Sequence, residues 1–316
     1  MKVIDLINAS GRMIFSFEIL PPLKGNHIQK VYDVIDKLRE FDPKYINITS
    51  HHSEYVEKPQ PDGSIRKVAV RRRPGSVAVA AAIQNRYGIT AVPHIICTGF
   101  TREETEYALI DLNFLGVYDL LLLRGDAKNR AAEIPPGHFH VHATDLQQQV
   151  NRFNQGIALD DTRFDPPETP FSYGVACYPE KHEEAPNMES DLFYAGEKVK
   201  NGAGYLVTQM FFDNAKYYAF VERLRARGIT VPVIPGIKPV VFTNQLTVLP
   251  KVFRADIPEA LAAELRRCKS DDEAKAVGVE WSILQCKDLM ANGVPGLHFY
   301  TFLASDSVRQ IAKAIY

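Results

Sequence analysis

Several of the most apolar stretches of this chain carry a charged or polar side chain, and those residues are the first candidates for chemistry. Glu18 lies in FSFEILPP (15–22), His94 in TAVPHIICT (90–98), and Arg124, Gly125 and Asp126 follow four leucines in DLLLLRGDAKNR (119–130). A carboxyl among apolar neighbours resists ionisation, so Glu18 is suited to hold a proton near neutral pH and donate it as a general acid. A paired surface carboxylate explains the same residue equally well from sequence alone. Arg124 and Asp126 either pair with each other or face a ligand, and His94 reads equally as a satisfied core histidine. Arg-Gly-Asp is also a cell-adhesion tripeptide, but the leucines before it argue for the end of a buried strand.

Metal chemistry has less support. GHFHVH (137–142) sets His138, His140 and His142 at alternate positions with no carboxylate or cysteine partner at ligand spacing, so no metal site is expected. Cys97, Cys177, Cys268 and Cys286 are too scattered for a zinc site or a redox dithiol and read as structural thiols of a reducing compartment.

The elements that must position these residues alternate in type. Apolar, β-rich runs occur at 13–20, 44–50, 90–98, 117–123, 171–178, 204–212, 230–236 and 296–302. Helical spacing marks 28–41, 143–155, 189–201, 213–227, 278–292 and 304–316, and TREETEYALIDLNFLG (101–116) adds a helix opened by a Thr101/Glu104 capping box and stopped by Gly116. Near-continuous apolar strands suit a parallel sheet covered on both faces, and eight such units predict an α/β fold, a single (β/α)8 TIM barrel over 1–316. A doubly wound dinucleotide fold would place a glycine-rich turn after the first strand, where this chain reads EILPPLKG.

Two insertions, at about 51–75 and 156–170, exceed ordinary loop length. The first carries Arg71, Arg72 and Arg73, which serve either as a lid or anion-binding loop or as a solvated face. In a barrel the chemistry gathers where strands meet the following loops. Glu18, Thr49, His94, Arg124, Asp126, Tyr178, Gln209 and Tyr300 all fall at that predicted face.

With 37 basic against 38 acidic residues, no global field favours nucleic acid or an anionic membrane. Apolar runs stay well short of the ~20 residues that span a bilayer. The first residues, interrupted by Asp5, Asn8 and Arg12, lack a signal-peptide core, so a cytoplasmic location is expected.

Taken together, SFEILPP (16–22), PHIICT (93–98), LRGD (123–126), CYPEKHEEA (177–185), SDLFYAGEKVKNGAG (190–204), TQMFFD (208–213), IPGIKPV (234–240) and HFYT (298–301) resemble the methylenetetrahydrofolate reductase family, in family order and over nearly the whole chain. The resemblance implies a barrel that binds FAD at its strand ends. NADH or NADPH reduces the flavin, which then passes hydride to 5,10-methylenetetrahydrofolate, giving 5-methyltetrahydrofolate for methionine synthesis. It implies Glu18 as general acid and Asp126 as the carboxylate beside flavin and pterin. Flavin contacts are implied at Thr49, His94, Arg124, Gly125, His142, Ala143, Ala176, Tyr178, His182, Asp191 and Lys198, and folate contacts at Gln209 and Tyr300. It further implies a homo-oligomer whose partner is the small-molecule folate, with neither nucleic acid nor membrane involved. The chain departs from the family pattern at Ala304, where relatives carry a folate-contacting arginine, and at Tyr194 and Glu197, where they tend to carry Asn and Arg; Glu197 opposes phosphate contact. His142 stands where a tyrosine is common, which suggests packing on adenine or ribose. Arg71 to Arg73 are a candidate replacement for the missing arginine.

Overall fold

The computed structural model describes residues 2–125, 134–135, 137–302 and 304–316. Parallel strands β1 (Ile14–Ile19), β2 (Tyr45–Ile48), β5 (Thr90–Ile96), β6 (Asp119–Leu123), β7 (Ser172–Cys177), β8 (Tyr205–Thr208), the short β9 (Val233–Ile234) and β10 (Gly236–Ile237), and β11 (Gly296–Tyr300) follow one another around a sheet that runs β10-β11-β1-β2-β5-β6-β7-β8-β9. Pro235 splits what the sequence predicts as one seventh strand, because it has no N–H to donate. The two pieces nonetheless complete the ring: β9 pairs with β8, β10 pairs with β11, and the Pro235 carbonyl accepts from the His298 amide at 3.0 Å. The result is the expected (β/α)8 barrel.

Period-two alternation divides each strand between two cores. On β1, Phe15, Phe17 and Ile19 face outward into the layer of helices, whereas Ile14 joins Tyr45, Val92, Leu121, Tyr205, Val207 and Ile234 inside the ring. Ser16 and Glu18 share the face of Ile14 and therefore point inward as well. The helices behave as their spacing predicts: α2 (Gln29–Leu38) buries Val31, Ile35 and Leu38, and α4 (Arg102–Phe114) starts on the Thr101/Glu104 box, with both reciprocal bonds near 3 Å (2.9 and 3.0 Å). Similar outer positions are filled by α5 (Ala143–Asn154), α6 (Met188–Lys200), α7 (Asn214–Ala226) and α11 (Ser305–Ile315).

Other elements were not evident from spacing. Helix α1 (Val3–Ala9) lies under the barrel floor, where Val3 and Ile7 join the interior core and the Val3 amide donates to Asp119 at 2.9 Å. Helix α3 (Ser76–Tyr87) precedes β5, and α8 (Gln245–Phe253) and α9 (Glu259–Arg267) precede a final long helix, α10 (Asp271–Ala291), that starts earlier than the expected 278. The 51–75 insertion is no open loop. It forms an antiparallel hairpin of β3 (Glu54–Pro59) and β4 (Ile65–Val70) whose turn uses Asp62 and Gly63, the latter at φ +82°. Arg72 pairs with Glu54 at 2.5 Å within the hairpin, and Arg73 donates to the Pro21 carbonyl at 2.5 Å and so fastens the hairpin to the loop after β1. The 156–170 insertion is anchored through Phe164, whose ring packs 5.0 Å from that of Phe153, and through an Arg152–Asp161 pair.

One glycine fixes how closely α10 approaches the barrel. A Cβ on Gly278 would fall 2.0 Å from the Val240 carbonyl oxygen, so only glycine lets the helix lie against the segment that follows β10. In an open helix interior Gly→Ala stabilises by ~1 kcal/mol. Here Gly278→Ala is expected to reverse that sign and cost ~1–3 kcal/mol through overpacking. A thermal melt showing the variant at or above the wild-type Tm would contradict this packing.

Candidate active site at the strand ends

Glu18 is 4% exposed and sits near the upper end of β1, level with Asn47 on β2 and Tyr300 on β11. Burial raises its pKa to about 8, against an opposing pull from the Lys238 ammonium, so the carboxyl holds its proton at neutral pH. The His94 Nε2 atom lies 3.5 Å from Glu18 Oε2. Burial, with His298 and His51 adding to it, lowers the His94 pKa to about 3. Both groups are therefore neutral near pH 7, and the contact is not an ion pair at that pH. Nor is it a hydrogen bond, since His94 Nε2 has no hydrogen-bond partner among the described residues.

Polar groups continue below and beside Glu18. Among the described residues, both amide atoms of fully buried Asn47 have no hydrogen-bond partner, nor do Tyr45 Oη, Tyr205 Oη and His298 Nε2. The His298 ring is stacked on Tyr45 with centroids 6.0 Å apart, and its Nδ1 is 2.9 Å from Ser16 Oγ. Tyr300 donates its hydroxyl to the Thr208 carbonyl at 2.6 Å, and the Thr301 hydroxyl donates to the Glu18 carbonyl. Lys238, one residue beyond β10, is buried; burial lowers its pKa to about 8, with Glu18 opposing. Its Nζ stands 5.2 Å over the Phe302 ring.

A second cluster occupies the β6–β7 corner. Arg124 pairs with Glu184, and its carbonyl accepts from the Thr98 hydroxyl at 2.9 Å. Gly125 follows at φ +86°, where a Cβ would press within 3.1 Å of Thr98. The Asp191 carboxylate accepts from the His182 amide at 3.0 Å, and Tyr178 meets the His182 ring edge-on at 4.7 Å. Lys198 donates to the Ala176 carbonyl at 3.0 Å and lies 5.9 Å from the Tyr178 ring. Burial lowers the pKa of Lys198, with Asp191 opposing, and that of His182, with Arg124 adding to the effect.

The sequence candidates thus gather around two centres. Glu18, His94 and Tyr300 form one; Arg124, Gly125, Ala176, Tyr178, His182, Asp191 and Lys198 form the other. Asp126 lies outside the described residues. Thr49 is half-buried after β2, with its hydroxyl 3.0 Å from His51, and Gln209 is half-buried after β8. Ala143 is buried in the first turn of α5 beside exposed His142. Ala304 is buried next to α11, Tyr194 is exposed, and Glu197 pairs with Lys200 at 2.5 Å. The three histidines of 137–142 diverge: exposed His138 nears Glu103, His140 is buried against Gln149, and His142 is the N-cap of α5. Among the described residues no group of three or more His, Cys, Asp or Glu could hold a metal, and no helix is long and apolar enough to cross a membrane.

Spacing alone missed Lys238, Asn47 and His298. For Lys238 the signal was present, a single lysine inside VIPGIKPVVF (233–242).

A parallel barrel whose strand ends hold a protonated carboxyl beside a cation-lined corner defines the class: an α/β-barrel of the enzyme type, with its chemistry at the C-terminal mouth. Residues 2–316 match the family profile described as methylenetetrahydrofolate reductase, and the chain belongs to that family. It is 30% identical to the Caenorhabditis elegans "Probable methylenetetrahydrofolate reductase (NADPH)", covering 96% of this chain and 42% of that one. It is 29% identical to the Salmonella typhimurium 5,10-methylenetetrahydrofolate reductase, covering 94% and 88%. The chain therefore spans less than half of the nematode relative and most of the bacterial one. Among solved structures, a Clostridium thermocellum protein described as binding two copies of 5-methyl-5,6,7,8-tetrahydrofolic acid shares the fold, with a TM-score of 0.58, 15% identity, and coverage of 98% of this chain and 97% of that one.

The buried carboxyl has a consequence for stability. Its folded pKa, about 8, lies above its ordinary value of 4.5, so between these limits the folded state keeps a proton that the unfolded state releases. Stability carried by this group is full at low pH and is lost as pH rises toward 8. Glu18→Gln removes that loss. Its stability relative to wild type, and its Tm with it, is expected to climb steadily between pH 5 and 8, by about 1.4 kcal/mol of free energy per pH unit at most. Parallel Tm curves would mean that Glu18 is ionised in the folded protein.

Proposed function

We propose that this chain is an FAD-dependent methylenetetrahydrofolate reductase, with NADH or NADPH as electron donor, acting in one-carbon metabolism toward methionine. The observation that carries the proposal is Glu18, a carboxyl buried at the inner end of β1 that holds its proton at neutral pH. Family membership directs that acid toward a folate.

The residues at the β6–β7 corner fit FAD. Gly125 turns the backbone with a left-handed φ where a Cβ would sit 3.1 Å from Thr98, and the half-buried Arg124 and Lys198 bring positive charge to the same corner. Arg124 and Lys198 would hold the anionic parts of the cofactor. Thr49, His94, Tyr178, His182 and Asp191 would position it, and Ala143 and Ala176 would admit it closely beside His142. Bound there, FAD supplies a centre that accepts hydride from the nicotinamide and passes it to the folate.

Glu18 donates its proton to a ring nitrogen of the five-membered ring of 5,10-methylenetetrahydrofolate. The C–N bond opens, its electron pair goes to that nitrogen, and the carbon becomes the iminium that receives hydride. Neutral His94 beside Glu18 does not compete for the proton, since its own basicity is suppressed. Asp126 would balance the positive charge of the iminium, and Gln209 and Tyr300 would hold the pterin. Asn47, buried with both amide atoms unpartnered among the described residues, offers a donor and an acceptor next to the acid.

Purified protein is expected to show flavin absorption, or to gain it on reconstitution with FAD; a colourless protein that cannot be reconstituted overturns the proposal. In anaerobic stopped flow, Glu18→Gln should leave flavin reduction by the nicotinamide intact and slow reoxidation by methylenetetrahydrofolate by ~10²–10⁴-fold. Equal loss in both half-reactions would make Glu18 structural. The same experiment with NADH and NADPH in turn identifies the donor.

A further inference from the structure

Lys238 has no part in the reading above, yet its placement is unusual. It is 6% exposed inside an otherwise apolar segment, and lysine is almost never that buried without a partner or a task. Strand register explains what it faces. Gly236 pairs with His298 and Ile237 with Phe299, so Lys238 stands next to the level of Tyr300 on one side of β11. Glu18 is paired with Tyr300 on the other side. The acid and the ammonium therefore flank the same residue on one rung of the barrel, with the Lys238 Nζ backed by the Phe302 ring at 5.2 Å. The close approach of α10 at Gly278 braces the same segment two residues further on, at Val240.

The groups around Glu18 differ in charge. His94 on β5 is neutral, as is His298 below it, since burial suppresses protonation of both. Tyr300 holds its proton because burial, then the nearby Glu18, raises its pKa. His51 touches this group through His94. Against the neutral His94 and His298 and the protonated Tyr300, Lys238 brings a positive charge to this rung at neutral pH.

We propose that Lys238 is a positioning residue for the acid step, a buried ammonium that stabilises the Glu18 carboxylate formed when the proton leaves. This rests on the reductase reading and deepens it. During transfer Glu18 passes from neutral to anionic in a dry site, and an anion there without a counter-charge would make the acid too weak to donate. A cation within reach offsets that cost and lowers a carboxyl pKa by ~1–3 units. The mutual pull between the two groups agrees with this: each opposes the effect of burial on the other. Lys238 and Glu18 titrate as a pair, so the alkaline limit of the acid step belongs to both.

The test follows the pH dependence of each half-reaction separately, in anaerobic stopped flow from pH 6 to 10, with wild type, Lys238→Met, Lys238→Gln and Lys238→Arg. Removing the cation makes Glu18 harder to ionise. In Met and Gln the alkaline limb of flavin reoxidation by methylenetetrahydrofolate is therefore expected to move up by about one pH unit or more, with a plateau rate ~10-fold lower. Arg should restore the wild-type limb, and flavin reduction by the nicotinamide should be unchanged in all four proteins. An unmoved alkaline limb in a folded, flavin-loaded Met or Gln variant overturns the inference. So does a raised KM for the folate with no pH shift, which would make Lys238 a ligand for a substrate carboxylate instead. Failure of the underlying reading looks different, since wild-type protein would then take up no flavin or would not be reoxidised by methylenetetrahydrofolate.

Discussion

Closing a parallel sheet into a ring forces eight strands to share one small interior, and the organisation of the site follows from how that interior is filled. Large side chains take the lower half: Tyr45 and Tyr205 are wholly buried there, with ring centroids 6.2 Å apart, and Gly174 leaves room for the Tyr205 ring, which a Cβ would meet at 2.4 Å. With that floor in place and α1 sealing it from beneath, the upper rung is left to Glu18, Asn47, His94 and Tyr300. A carboxyl on that rung is enclosed by protein on every side but the mouth. Its raised pKa is therefore a property of barrel closure and not of any single neighbour. The closure itself passes through Pro235, whose missing donor shortens the seventh strand and leaves Lys238 just above a break in the regular ladder.

The same geometry separates two kinds of electrostatic environment. Around Glu18 burial dominates, and ionisable groups retreat to their neutral forms or, for Lys238, depend on a partner. At the β6–β7 corner burial acts too, but the charges have opposite partners, Arg124 paired with Glu184 and Lys198 near Asp191. Cationic side chains with opposite partners suit an anionic ligand, while a dry, proton-holding carboxyl suits acid catalysis. An enzyme that must anchor a polyanionic cofactor and protonate a nitrogen a short distance away needs both environments, and strands on different sides of one barrel can provide them without either acting strongly on the other.

How much of this was legible in the sequence depended on the physical signal each element carries. The barrel strands, buried on both faces, announce themselves as apolar runs, and α4 announces itself through its capping box. Helix α3, SVAVAAAIQNRY, is rich in alanine and gives little amphipathic contrast, so its period is faint. Helix α1 is only seven residues long and owes its stability to the barrel floor it covers. The hairpin at 54–70 had a readable mark, the Pro-Asp-Gly turn at 61–63 between two β-prone segments, whereas the arginines after it fitted a lid or anion loop and a solvated face alike. Glu18, His94, Arg124 and Tyr178 could be picked out because strand-end position is a one-dimensional property. His298 could not, and Lys238, though marked as a lone lysine in an apolar run, could not be related to Glu18, since that relation comes from register across three strands.

The departures from the family pattern can be weighed in the same terms. The arginine implied near Ala304 is gone, and a buried alanine occupies the place. Arg72 and Arg73 are already engaged in holding the hairpin, which weakens their claim to replace it. Lys238, in contrast, reaches the ring of Phe302, two residues before Ala304, from the neighbouring strand. A cation has thus been lost at the start of α11 and another is found at the end of β10, about one strand away. These are not equivalent: a flexible arginine at a helix start can follow a substrate's outer charge, whereas a lysine locked on the barrel rung beside Glu18 acts on the acid itself. The positive charge this chain does place near that position is a buried lysine on the level of Tyr300, across β11 from Glu18, where on our proposal it acts on the acid.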